Sequence, residues 1–87
     1  MSTIDDIRRF IASEIIRSPS ISLASTDRLI ERGYLTSLDV LQLVTFLEEE
    51  LQVEIAPEDV TEQHFQTLES IAALVESMRE RQRAEPS

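Results

Sequence analysis

Few side chains in this sequence could do chemistry. His64 is the single imidazole among 87 residues, cysteine is absent, and Gly33 is the single glycine. Without a thiol there can be no disulfide scaffold, thiolate metal site, thiol nucleophile or dithiol redox motif. One glycine cannot build a glycine-rich phosphate loop, and no Asp-rich loop carries the glycine of a calcium hand. No serine is placed to pair with His64, which beside Phe65 reads as a partly exposed helix residue. No metal site is expected, only diffuse screening of acidic clusters by cations. What remains is Gly33-Tyr34-Leu35-Thr36-Ser37-Leu38-Asp39, where a serine stands at the start of the most apolar segment. A helix N-terminus offers unpaired N–H groups and positive partial charge, so a phosphate esterified to Ser37 would be well placed. On spacing alone the simpler reading is that Thr36 or Ser37 is the helix cap.

Charge narrows the partners. Seventeen acidic residues face eight arginines and no lysine, a formal charge of −9. That is the wrong sign for neutralising phosphate backbones, so nucleic acid and anionic membranes are excluded as partners. Between Arg32 and Arg79 lie ten carboxylates and no basic residue: Asp39, Glu48, Glu49, Glu50, Glu54, Glu58, Asp59, Glu62, Glu69 and Glu76. Such a surface is either a solvated face or one that draws in a basic partner, with an attraction that salt screens.

The elements that must position Ser37 follow from the apolar periodicity. Ile4, Ile7, Ile11 and Ile15 predict a first helix over Thr3 to Arg17, capped by Ser2 or Thr3 and stopped by Pro19. Residues 18–35 form a long connection whose Ile21, Leu23, Leu29, Ile30, Tyr34 and Leu35 favour wrapping onto the core. Leu38, Val40, Leu41, Leu43, Val44, Phe46, Leu47 and Leu51 predict a second helix buried on more than one side. Thr36 with Asp39 three residues on resembles a capping box. A turn through Val53–Asp59, a short third helix within Thr61–Phe65 and a last helix opened by Thr67 complete the chain. The last helix has Leu68, Ile71, Val75 and Met78 on its face and ends in an exposed tail. The expected fold is all-α, a small four-helix bundle of three main helices plus a short third one, with a long first loop. It is one domain, 1–87, with its core in 3–78 and a tail over 79–87.

The run Leu35-Thr36-Ser37-Leu38-Asp39-Val40-Leu41 through Glu48-Glu49-Glu50-Leu51, followed by Val53-Glu54-Ile55-Ala56-Pro57-Glu58-Asp59, resembles the acyl carrier protein family. That family opens its second helix with Asp-Ser-Leu, ends it in acidic residues and follows it with an Ile-Pro-acidic turn. The likeness extends over about residues 3–78. It implies that Ser37 carries a covalent 4′-phosphopantetheine arm from coenzyme A, whose thiol holds an acyl group as a thioester, and that the carrier itself catalyses nothing. It further implies a partner-docking surface of Leu38, Asp39, Val40, Glu48, Glu49, Glu54 and Asp59, read by basic patches on other proteins. Those would be a phosphopantetheinyl transferase, a loading ligase and pathway synthases. By the same likeness Leu38, Val40, Leu41 and Val44 guide the arm or line an acyl cleft, although each also reads as ordinary core. Two positions depart from the family pattern: Thr36 replaces the usual Asp, and Gln42 stands where many fatty-acid carriers have Glu. Both point to a specialised lipid, polyketide or peptide-like pathway.

Two alternatives stay open at this level. The cargo could be aminoacyl, loaded by an adenylating ligase. The chain could instead be an unmodified acidic helical adaptor for a basic protein, with Ser37 only a cap. No apolar run is long enough to span a bilayer and the start resembles no signal peptide, so a monomeric, free-standing, soluble cytoplasmic protein is expected.

Overall fold

The computed structural model describes residues 3–18 and 20–84. Ser2 as a cap, Pro19 as a stop and the last three residues of the expected tail lie outside that range.

Helix α1, Thr3–Phe10, has Asp5 and Asp6 in its first turn, at the positive end of the helix dipole, with Arg8 and Arg9 one turn on. Asp5 and Arg8 also pair at 2.7 Å. The Ile4, Ile7, Ile11, Ile15 spacing predicts a regular helix to Arg17, but Ile11–Ile15 is a π-helical turn. Ile16 donates its N–H to the Ile11 carbonyl at 2.8 Å, five residues back. Arg17 then ends the helix with a φ of 62°, in the left-handed region. Ile7, Ile11 and Ala12 are buried.

The long connection wraps onto the core as its apolar residues require: Leu23, Leu29 and Leu35 are buried, while Ile21, Ile30 and Tyr34 pack against them. Gly33 has a φ of 83°, where any other residue would be strained, and its turn delivers the chain to α2.

Helix α2, Ser37–Glu50, buries only Leu43 and Leu47 fully. The expectation of burial on more than one side is therefore corrected. Val40, Val44, Phe46 and Leu51 are half-buried, and Leu38 and Leu41 are exposed, at 76% and 58%. Neither leucine is core, because both lie on the same face of α2 as exposed Thr45, Glu48 and Glu49, opposite the face that holds Leu43 and Leu47.

After α2, Gln52 takes a φ of 56° and Val53 and Ile55 are buried. A 3₁₀ turn, Pro57–Asp59, begins with Pro in the position that needs no N–H donor. Thr61 caps the short helix α3, Glu62–Phe65, by accepting the His64 N–H. Thr67 and Ser70 exchange side-chain-to-backbone bonds of 3.0 and 3.1 Å to open helix α4, Leu68–Ala84. The Thr67 cap falls where the sequence places it, and α3 lies within the expected Thr61–Phe65.

The expected tail from Arg79 is instead a helix as far as Ala84. Arg79 pairs with Glu76 at 2.9 Å. Gln82 accepts the Glu54 N–H at 2.8 Å and donates to the Gln52 carbonyl at 3.3 Å. The helix continues because its last turns have work to do: they hold the backbone that leaves α2.

Helix α4 is the hub, packing against both α1 and α3. The core joins Ile7 and Ile11 to Leu43, Leu47, Phe65, Leu68, Ile71 and Val75. Phe10 and Phe46 stack with ring centroids 4.1 Å apart, tying α1 to α2. Among the described residues the secondary structure is all helical, and no polar or charged side chain is buried. This is the all-α, four-helix arrangement the periodicity implies.

Candidate functional site

The start of α2 is fixed by a complete capping box. Thr36, in extended conformation, accepts the Asp39 N–H on its hydroxyl at 3.3 Å, and Asp39 accepts the Thr36 N–H on its carboxylate at 2.9 Å. The ambiguity over which residue caps is thereby resolved: Thr36 is the cap, and Ser37 is the first helical residue. The Ser37 side chain is exposed and takes no part in the cap. The box accounts for the Thr36 and Asp39 N–H groups, and Val40 donates to the Thr36 carbonyl at 2.9 Å. The N–H groups of Ser37 and Leu38 have no partner among the described residues. A phosphate ester on Ser37 would therefore meet free donors and the positive end of a fourteen-residue helix.

Beside Ser37 runs an open cleft of about 370 Å³ with three walls. Ile30 and Leu35 come from the long connection, Val40 and Leu41 from α2, and Val60, Thr61 and Glu62 from the entry to α3. Its surface is mainly apolar, and Glu62 is the one charged residue lining it. The sequence points to Val40 and Leu41 as cleft residues, and both are there; Leu38 and Val44 do not line it. The opposite wall, Val60 to Glu62, carried no signal of its own, because only the tertiary fold brings α3 to this side of α2.

The docking residues implied by the family resemblance are scattered in accessibility. Leu38, Glu48, Glu49 and Glu54 are exposed, whereas Asp39, Val40 and Asp59 are half-buried. Asp39 spends its carboxylate on the cap, and Glu48 accepts the Ile55 N–H at 3.3 Å. The imidazole of His64 stands away from the cleft, its Nδ1 2.9 Å from the Asp59 carbonyl and 3.1 Å from the Thr61 hydroxyl. Those bonds pin the ring to the 3₁₀ turn, so it serves structure there. Among the described residues no group of three His, Asp or Glu side chains is placed to hold a metal ion.

An exposed hydroxyl on the first residue of a helix, backed by free N–H groups and an apolar cleft, suits the attachment of a long phosphate-linked arm. Residues 6–75 match a protein family described as the phosphopantetheine attachment site. No curated protein sequence matches the chain significantly.

Proposed function

Because the chain belongs to the phosphopantetheine attachment-site family, as a carrier domain that is modified covalently and is not itself catalytic, we propose that Ser37 is the attachment residue and that the cargo is an acyl group. The observation that carries this reading is the division of labour at the start of α2. Thr36 makes the cap and leaves the neighbouring Ser37 hydroxyl exposed and uncommitted. The arm, once attached, supplies a terminal thiol on which an acyl group is held as a thioester with an electrophilic carbonyl. The chain's own residues do the rest. The first-turn N–H groups of α2 hold the phosphate, and Val40 and Leu41 offer apolar surface beside it. Exposed Leu38, with Glu48, Glu49 and Glu54, presents a mixed apolar and acidic face to partners carrying basic patches. Those partners are a phosphopantetheinyl transferase, a loading ligase and the synthases of a dedicated pathway, a specialisation supported by Thr36 and Gln42.

The deciding experiment incubates the purified chain with coenzyme A and a broad-specificity phosphopantetheinyl transferase and compares intact masses of the wild type and Ser37→Ala. Addition of one phosphopantetheinyl group to the wild type alone is the expected result. Addition to the Ser37→Ala chain, or none to a folded wild type with several transferases, would remove Ser37 as the attachment residue. Loading the modified chain with acyl and aminoacyl ligases in parallel then separates the two kinds of cargo.

A further inference from the structure

We infer that Gln66 is a positioning residue for the cleft beside Ser37, setting the distance between the loop wall and the α3 wall. The inference rests on the reading of Ser37 as the attachment point, and it concerns what holds the adjacent cleft open at its present width.

The loop wall belongs to a turn that closes on itself. Arg32 donates to the Arg28 carbonyl at 2.9 Å, Gly33 to Ile30 at 3.0 Å, and Tyr34 and Leu35 to Leu29 at 2.8 and 3.2 Å. With four internal bonds the turn moves as one body, carrying Ile30 and Leu35 with it. Among the described residues, its hydrogen bonds to other elements are three, and all end on Gln66. The Leu29 N–H reaches the Gln66 carbonyl at 2.7 Å. The Ile30 and Glu31 N–H groups share the Gln66 Oε1, each at 3.2 Å.

Gln66 lines no part of the cleft. It directly follows α3, whose cap Thr61 and first residue Glu62 form the opposite wall, and its Nε2 reaches the Glu62 carboxylate at 3.5 Å. One side chain thus spans from wall to wall. Its two kinds of bond have different duties. Fully buried Leu29 and the bond to the Gln66 carbonyl anchor the turn whatever side chain stands at 66. The paired bonds to Oε1 fix the tilt of the turn about that anchor, and so the approach of Ile30 to Val60. Removing Oε1 leaves two backbone donors to find water; the exposed Glu31 N–H can do so in place, but the part-buried Ile30 N–H requires the turn to tilt outward. The fold survives and the cleft widens.

The test compares the wild type, Gln66→Leu and Gln66→Glu, the last made together with Glu62→Gln so that it keeps an acceptor where Oε1 stands and meets an amide instead of a second carboxylate. In the unmodified chains, amide exchange at Ile30 and Glu31 should quicken about tenfold in Gln66→Leu, as for loss of about one hydrogen bond. The methyl resonances of Leu35 and Val60, on facing walls, should shift with it, and Gln66→Glu should restore both. In chains carrying on Ser37 a pantetheine arm that ends in a solvatochromic dye, emission should be blue-shifted in the wild type. It should move toward that of the free dye in Gln66→Leu and return in Gln66→Glu. Unchanged Leu35 and Val60 methyls in Gln66→Leu, despite faster exchange, would overturn the inference, as would dye emission that ignores the substitution or shows no shift in the wild type. If no arm attaches, the reading of Ser37 fails by mass, while the exchange and methyl data still decide the role of Gln66.

Discussion

At the scale of single residues, two adjacent hydroxyls have unrelated duties. Thr36→Ala removes the acceptor for the Asp39 N–H and should cost about 1 kcal/mol of stability. Ser37→Ala, which touches no part of the cap, should stay within about 0.5 kcal/mol of wild type. Urea unfolding of the two variants side by side measures the contrast, and equal losses would mean that Ser37 shares in the cap. The Thr36–Asp39 box was legible in the sequence because capping is local chemistry, decided within four residues. The exposure of Leu38 and Leu41 follows from their place on the face of Thr45, Glu48 and Glu49, which the count of apolar residues along α2 overlooks. The wall of Val60, Thr61 and Glu62 had a different obstacle, since nothing local marks a wall whose other two sides lie some twenty to thirty residues upstream.

At the scale of elements, the four helices agree with the apolar spacing and the Thr67 cap with its residue type, and the two discrepancies concern how the first and last helices end. The π-helical turn at Ile11–Ile15 preserves the Ile7 and Ile11 burial that an α-helix would give, so the pattern of apolar residues could not distinguish them. The final turns of α4 look like a solvated tail in Arg79-Glu80-Arg81-Gln82-Arg83 because their value lies in one amide, Gln82, bonded to the backbone at Gln52 and Glu54. Gln82→Ala should therefore destabilise the chain by about 1 kcal/mol although the residue is exposed, with thermal unfolding as the check. Arg83→Ala, the exposed neighbouring residue that takes no part in that contact, serves as the control and should change little.

For the molecule as a whole, charge is strongly partitioned along the chain. Before Gly33 five arginines are matched by five carboxylates, whereas the ten carboxylates between Arg32 and Arg79 meet no basic residue. The helix that carries Ser37 at its start and acidic residues at its end lies wholly within that unbalanced stretch. Association with any partner that reads this face should be steered electrostatically. Its association rate should fall by about tenfold or more between low salt and about 0.5 M, with a much smaller change in dissociation. Stopped-flow measurements with the transferase across a salt series would reveal this, and a flat salt profile would show that docking rests on Leu38 and its apolar neighbours alone.

The capping box of Thr36 and Asp39 also bears on how loaded and unloaded copies are told apart. Since both hydrogen bonds in the box avoid the Ser37 side chain, a group added to that hydroxyl would leave the cap itself intact. The cap is then a constant address that reads the same whether or not a message is attached. A partner that must respond only to one state has to sample the appended group, or the first-turn N–H groups and cleft that it would occupy, and not the cap.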